Sequence, residues 1–463
     1  MSERPASSIR RASPAARAAN EGIASRLAAV EILLRVDEQN GYADVLLGAR
    51  LPEFKLSDRR LITRLVLGTI AWRARIDYEL ALLTGRRLDG IQPPVLAIMR
   101  MGLFQLRFLD RVPQHAVVDT AVSLAKRIPE ARKASGFVNA VMRRATREQP
   151  ALPNRARDEN RFLAIAYSHP RWMVERFVAS FGAADAERLM AANNEAAPNA
   201  IRLNLKRGTR DEIIARLIEE GFEIGDGGRA PETIVLNGAA NFESSAYRDG
   251  LFHAQSEASQ MVARMLAPPI GATVVDCAAA PGGKSSHLAE MVGERGRVIA
   301  LDLNFAGLKN ARDVANRLRH DNISFVRADL ASAIPLPPMR FDYVLLDAPC
   351  TGLGTLREHP EIRWRVGPQD PARMAAIQLR MLEHASSIVR SGGAVVYSVC
   401  SIAPEEGIGV IDSFLQHHRE FDIDRELEHR EEFEGVLDAR GLMQTRPDIG
   451  GLDGFFAARL KRR

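Results

Sequence analysis

The chain has 463 residues, enough for two or three domains, and carries 63 Lys and Arg against 58 Asp and Glu, a net charge of +5. Its charged fraction of 26% and hydrophobic fraction of 46% are those of an ordinary globular protein, and no apolar run approaches the length of a transmembrane helix. Three cysteines without a CxxC pair argue against a disulfide framework and against a zinc site, and they fit a reducing cytosol, while the positive excess leans towards a polyanionic partner.

Residues 1–20, MSERPASSIRRASPAARAAN, have the Ser, Ala and Arg content of a transit peptide. Glu3, two prolines and the lack of an amphipathic apolar face point instead to a disordered basic tail, which either touches phosphates or does nothing. Residues 21–148 read as an all-α bundle. Leu27, Val30, Leu33 and Leu34 recur at three- and four-residue spacing, and similar stretches follow at Leu61–Trp72, Val95–Phe108, Val117–Ala125 and Phe137–Met142. Pro93-Pro94 and Pro113 mark helix starts. Arg100, Arg107, Arg111, Lys126, Arg127, Arg143 and Arg144 are candidates for phosphate contacts, against the plainer reading of each as a solvated charge.

Residues 149–160, with Pro150 and Pro153, read as a linker. Residues 161–249 read as a small α/β unit. Helices are expected at Trp172–Phe181, Ala184–Ala192 and Thr209–Glu220, and strands near Ala200–Leu205 and Thr233–Leu236. Arg202, Asn204 and Lys206 alternate, so they form either an RNA-facing strip or a wet sheet face.

The core spans residues 250–463. GATVVDCAAAPGGKSSHL reads strand, glycine loop, helix: Thr273–Cys277, then Ala279 to Lys284, then Ser285 onwards. Small residues let a ligand approach the loop, and the first helix amides are free to meet it. Gly283-Lys284-Ser285 matches the end of a Walker loop, but Ala278 stands where that motif needs glycine, and G-x-G-x-x-G is absent as well. What remains is a nucleoside site without a pyrophosphate. Asp302, after the strand Arg297–Leu301, is placed for ribose hydroxyls, and Asp329, after Ile323–Val326, for an adenine amino group. A lone strand-end aspartate is commonly a turn residue; Asp302, Asp329 and Asp347 after three successive strands are harder to dismiss.

Tyr343–Leu346 is a short buried strand ending in Asp347-Ala348-Pro349-Cys350, where Pro349 forces a turn. A second run, Ala394–Val399, ends in Cys400-Ser401. If the two strands are neighbours, two thiols and a carboxylate face one crevice, at the edge where open α/β sheets bind ligands. The plainer reading makes each cysteine a small core residue, Cys277 included.

DAPCTGLG with SVCS fifty residues on resembles the RNA cytosine-5 methyltransferases of the NOL/NOP/Sun family, whose usual second motif is Thr-Cys-Ser where this chain has Val399-Cys400-Ser401. The AAPGGK loop and the aspartate spacings resemble that family's S-adenosylmethionine site, with cysteine at 277 where the family usually has it at the position of Ala278. LVLGTIAWRARIDYEL, the stretch from Pro93 to Arg127 and SGFVNAVMRR resemble a NusB-like RNA-binding domain. SHPRWMVERF and PNAIRLNLKR resemble the small RNA-binding subdomain of the family, and GLFHAQSEASQMVARML its lead-in helix. DGFFAARLKRR matches its last strand, so the resemblance spans nearly all of residues 21–463.

The resemblance implies a NusB-like bundle, a small α/β RNA-binding subdomain and a Rossmann-like α/β methyltransferase with a mostly parallel sheet. It implies Cys400 as a nucleophile at cytosine C6, Cys350 in product release, and Asp347 against the cytosine N3 and amino group. Ala278, Ala279, Ala280, Pro281, Gly282, Gly283, Lys284, Asp302, Asp329 and Asp347 would contact S-adenosylmethionine or the space beside it. Lys284 is a candidate for lowering the Cys400 pKa from about 8.5. Arg357, His359, Arg363 and Trp364 are candidates for an RNA path, with Trp364 either a stacking face or a buried anchor. The domain order resembles the bacterial RsmB/Sun group, which implies a loop cytosine of 16S ribosomal RNA of the position-967 type.

The expected enzyme is a monomer with an RNA partner and neither DNA nor membrane. The alternatives are a cytosine-5 methyltransferase of another RNA such as tRNA, or a non-catalytic RNA-binding assembly factor. A DNA cytosine-5 methyltransferase would use Cys350 and need a target-reading insertion that does not fit between Cys350 and Cys400. A dead enzyme would be expected to lose Cys400 or the AAPGGK loop, and both are present.

Overall fold

A computed structural model of the chain describes residues 14–238 and 240–463. The predicted tail lies outside the described residues up to residue 13, and helix α1 begins at Pro14. The chain forms two compact units: one runs to Asn194 and includes His359–Arg365, and the other holds Glu195–Glu358 and Val366–Arg463.

The first unit is helical: α1 (Pro14–Glu38), α2 (Ala43–Arg50), α3 (Leu56–Ala71), α4 (Arg73–Thr84), α5 (Pro93–Phe108), α6 (Gln114–Arg127), α7 (Ser135–Ala145), α8 (Glu159–Ala166), α9 (Arg171–Phe181) and α10 (Ala183–Ala192). Pro93 and Pro94 occupy the first turn of α5, where a missing N–H costs nothing. Its apolar residues Ile98, Leu103 and Phe104 are buried with Ile62, Leu65, Val117 and Leu124 of the neighbouring helices. Each such side chain contributes about 1.5–3 kcal/mol of burial.

Two of the predicted phosphate-contact residues are internal. Arg100 grips Asp77 at 2.7 and 2.8 Å and Asp37 at 2.9 Å. Arg107 pairs with Glu79 at 2.8 Å and donates to the carbonyls of Ala145 and Glu148. Periodicity places an arginine on a helix but not the acid that a neighbouring helix sets against it. Arg111, Lys126, Arg127 and Arg143 are exposed.

The chain enters this unit a second time, through His359–Arg365, which includes the short helix α16 (Ile362–Arg365). Arg363 is fully buried and donates to the carbonyls of Ala71, Ser168 and Asn193 and to Asn194 Oδ1. Burial pushes its pKa down to about 9. Trp364 Nε1 donates to the Ile70 carbonyl at 2.8 Å, and Glu361 accepts the Ala43 amide at 3.0 Å. Arg363 and Trp364 therefore anchor this segment rather than line an RNA path. His359 lies beside Asp44 and Glu361, their ligating atoms within 4.8 Å of one another.

The second unit opens with a four-stranded antiparallel sheet ordered β2-β3-β1-β4. Its strands are β1 (Asn199–Leu203), β2 (Ile224–Gly227), β3 (Thr233–Leu236) and β4 (Phe252–Ala254), so the sheet runs past residue 249. Helix α11 (Arg210–Glu219) starts on a capping box between Thr209 and Glu212, and the short helix α12 (Ser245–Arg248) precedes β4.

The main sheet has the order β10-β12-β9-β8-β5-β6-β7, with β11 beside β12. Its elements are α13 (Glu257–Leu266), β5 (Thr273–Asp276), α14 (Gly283–Val292), β6 (Arg297–Asp302), α15 (Phe305–Leu318), β7 (Ile323–Arg327), β8 (Phe341–Asp347), α17 (Asp370–Ser387), β9 (Val389–Val399), α18 (Ile408–His417), β10 (Phe421–Ile423), β11 (Met443–Gln444) and β12 (Phe456–Arg462). β5 to β9 are parallel and β10, β11 and β12 antiparallel. The order reverses at β5, which puts the crevice at the carboxyl ends of β5, β6 and β8.

Arg202 corrects both readings of its strand face. It is fully buried, bonded to Glu290 at 2.9 and 3.1 Å, Ser286 Oγ at 2.8 Å and the Gly283 carbonyl at 2.8 Å. Asn204 is buried too, donating to the carbonyls of Gly250 and Leu318, and only Lys206 is exposed. α14 covers this face, so the guanidinium meets a carboxylate where water was expected. Arg202→Ala leaves Glu290 buried without that partner. A loss of about 3–5 kcal/mol is expected, read as an earlier denaturant midpoint by circular dichroism.

Candidate active site

β5 delivers its chain to a loop fixed from three sides. Ser285 Oγ donates to Asp276 Oδ2 at 2.6 Å, and the Ala279 amide donates to the Leu301 carbonyl at 2.9 Å. Asp302 Oδ2 accepts the Ala280 amide at 2.9 Å, and its Oδ1 accepts the Asn304 amide at 2.8 Å. Burial pushes the Asp276 pKa up to about 6, against the Ser285 hydrogen bond that lowers it. Gly282 has φ of +106°, and a Cβ there would meet Ala311 Cα at 2.7 Å, so glycine is required where the loop crosses α15.

Asp302 and Asp347 end β6 and β8, and Asp329 follows β7, so all three share one sheet edge. Asp329 is exposed and its carboxylate caps its own turn, accepting from the Ala331 amide at 3.1 Å and Ser332 Oγ at 2.7 Å. A small-residue loop, a helix start and a carboxylate at the next strand end form a cradle that fits a nucleoside bearing no pyrophosphate.

The two thiols meet. β8 and β9 pair in parallel with Asp347 opposite Ser398, and Cys350 Sγ lies 3.2 Å from Cys400 Sγ. Both are half-buried. The Gly354 amide donates to the Cys400 carbonyl at 3.0 Å and the Gly454 amide to the Gly354 carbonyl at 2.8 Å. A Cβ on Gly354 would collide with the Gly454 carbonyl, so glycine lets three backbones converge behind the sulfurs. The hydrogen bond with Cys400, then burial, raises the Cys350 pKa well above the usual thiol range. Cys277 is fully buried, and burial pushes its thiol up as well, which leaves it a packing residue.

Asp347 stands next to the pair. Lys284 Nζ donates to its Oδ2 at 2.6 Å and Ser398 Oγ to its Oδ1 at 2.6 Å. Burial disfavours the Lys284 ammonium, but Asp347 and, less strongly, Cys400 outweigh it and leave the pKa above the ordinary lysine value. Lys284 is thus a persistent cation near Cys400 whose direct partner is Asp347. Val399 is buried in the core cluster with Phe456, so the methyl-for-hydroxyl departure faces packing.

Arg357 does not line a path: it pairs with Asp453 at 2.6 Å and is 5% exposed at the side chain. Three functional neighbours escaped the sequence reading. Ser398 lies near the end of β9 and reads like any core-facing serine. Gln378 and Glu406 are fully buried polar residues with no motif to announce them, and Glu405-Glu406 reads as an ordinary acidic approach to a helix.

Comparison with known proteins agrees with this architecture. Three family models match: the NusB family over residues 23–147, the ferredoxin-like domain of RsmF/B-like methyltransferases over 169–243, and the 16S rRNA methyltransferase RsmB/F over 263–461. The "Probable ribosomal RNA small subunit methyltransferase B" of Bacillus subtilis is 32% identical over 442 residues, covering 94% of this chain and 98% of the relative. The "Ribosomal RNA small subunit methyltransferase B" of Pseudomonas putida is also 32% identical, with the same coverage. The crystal structure titled PH0851 superposes with a TM-score of 0.82 at 27% identity, over 96% of this chain and 98% of that one. Fold and site thus define an S-adenosylmethionine-dependent methyltransferase of ribosomal RNA. The chain belongs to the RsmB/F family of 16S rRNA methyltransferases.

Asp302 accepts one loop amide and has lone pairs left for a ribose. Asp302→Ala is expected to weaken S-adenosylmethionine binding by roughly 10–100-fold, the worth of one or two charge-assisted hydrogen bonds. Titration calorimetry on the folded variant decides, and an unchanged affinity removes Asp302 from the ribose.

Proposed function

We propose that this enzyme methylates carbon 5 of a cytosine in small-subunit ribosomal RNA through a covalent adduct on Cys400. The observation that carries this reading is the sulfur pair at 3.2 Å beside Asp347, on adjacent parallel strand ends. The choice of RNA rests on the names of the relatives, which are small-subunit ribosomal RNA methyltransferases.

Cytosine C5 is too weak a nucleophile to take a methyl group directly. The Cys400 thiolate adds to C6 and pushes the electron pair to C5. S-adenosylmethionine, when bound, supplies the electrophilic methyl group. Ala278 to Lys284, Asp302, Asp329 and Asp347 are the residues proposed to hold it or to border its site. The C5 proton then leaves to a base, and elimination returns the Cys400 sulfur as thiolate. Cys350, which keeps its proton, donates to that leaving sulfur.

Asp347 has lone pairs beyond those met by Lys284 and Ser398. It receives the cytosine amino group and protonated N3, which favours addition at C6. A loop nucleotide suits this pocket, because turning a base out of a duplex costs a few kcal/mol. The exposed cations Arg111, Lys126, Arg127 and Arg143 of the helical unit are proposed to touch phosphates.

Two experiments test this. Denaturing gels with labelled small-subunit RNA and cofactor should show no adduct for Cys400→Ala, an accumulating adduct for Cys350→Ala, and none for the double variant. An adduct from Cys400→Ala but not from Cys350→Ala would make Cys350 the nucleophile, as in the DNA enzymes. RNA affinity of the full chain should fall steeply with salt through counterion release. Changing Lys126, Arg127 and Arg143 together to Ala should flatten that slope by about 2–3, and an unchanged slope moves the RNA elsewhere.

A further inference from the structure

Glu406 is fully buried, six residues past Cys400 and just before α18. A carboxylate withdrawn from water costs several kcal/mol unless its oxygens are met. Here four donors meet them. Oε1 accepts the Thr351 amide at 2.8 Å and Gln378 Nε2 at 3.0 Å. Oε2 accepts Ser401 Oγ at 2.6 Å and the Thr351 hydroxyl. Thr351 follows Cys350 directly and Ser401 follows Cys400 directly. Gln378 also donates to the Pro349 carbonyl at 2.9 Å, and Tyr397 donates to Gln378 at 3.1 Å. One carboxylate therefore ties together the two turns that present the two sulfurs, and α17 braces it from behind.

We propose that Glu406 is a positioning residue of the methyl-transfer site, holding Cys350 and Cys400 at one separation through Thr351 and Ser401. The proposal rests on the reading of Cys400 as nucleophile. Glu406 does not touch substrate, since four donors saturate its oxygens. An amide at this position offers one acceptor oxygen and would set an N–H₂ against donors on the other side. A carboxylate does what neutral packing does not in a second respect: its charge adds to the burial and to Cys400 in keeping the proton on Cys350. The same group thus sets the distance between the sulfurs and disfavours the Cys350 thiolate.

The test compares full-length Glu406→Gln with the parent enzyme in single-turnover methylation of unmodified small-subunit RNA at saturating cofactor. The rate is expected to fall roughly 100-fold, as for a small misplacement of reacting groups, with cofactor affinity by calorimetry unchanged. A second readout separates positioning from simple loss of fold. In a Cys400→Ala background, alkylation of Cys350 by iodoacetamide, followed by peptide mass spectrometry, should move to lower pH when Glu406→Gln is added. If Glu406→Gln does not fold, Thr351→Val and Ser401→Ala each cut one tie and should each slow transfer about 10-fold or more. Wild-type rates, or an alkylation profile that does not move, overturn the proposal. Normal methylation by Cys400→Ala would instead sink the underlying nucleophile reading, and the two failures are distinguishable.

Discussion

Parallel pairing of β8 with β9 is the constraint on which the site depends. In a parallel pair both strands end at the same edge, so the segments leaving them start side by side. Asp347 faces Ser398 across that register, and the three residues beyond Asp347 bring Cys350 back over Cys400. A slip of one residue would turn Asp347 to the other face of the sheet and separate it from Lys284. The runs Val344–Leu346 and Val395–Val399 are fully buried along their whole length, which makes that slip costly. Core packing thus fixes the site's geometry, and within these two runs Ser398 bonds to a site residue, Asp347.

The strands alone do not hold the turns. The glycine loop and the two cysteine turns are each fixed by buried or half-buried polar groups bonded to their backbone or side chains. Asp276 and Asp302 hold the glycine loop, Arg202 reaches the first turn of α14 from the small sheet, and Glu406 holds the two cysteine turns. Such groups are costly to bury and are retained only when satisfied. A loop preset in this way binds its ligand without first losing conformational freedom, which is the cost that preorganisation removes.

Much of this was legible in the sequence. Strand ends show as short apolar runs stopped by Asp or Pro, so Asp302, Asp329, Asp347, Cys350 and Cys400 were found at one edge. The partners of buried charges were not legible. Arg202, Arg100, Arg107, Arg357 and Arg363 read as candidate nucleic-acid contacts or as solvated charges, because an arginine with no partner nearby in sequence reads as exposed. Each is met by carboxylates or carbonyls distant in sequence, Glu290 for Arg202 and Asp453 for Arg357 among them. Local pattern carries no record of such pairings. Glu406 was missed for the converse reason: a glutamate before a helix is so common that its burial leaves no mark.

The sulfur pair shows why two cysteines suit the proposed reaction better than one. A single buried thiolate would be a strong base, hard to form and slow to leave. In the proposed reaction the second sulfur, 3.2 Å away, donates its S–H to the thiolate before attack and again after elimination. That benefit holds only while the neighbour keeps its own proton. The hydrogen bond with Cys400, burial and nearby negative charge achieve this for Cys350. Two chemically identical side chains, their sulfurs 3.2 Å apart, take opposite roles in the proposed reaction. In the proposed reaction the identity of the nucleophile is set by Lys284, Asp347 and Glu406 as much as by the cysteines themselves.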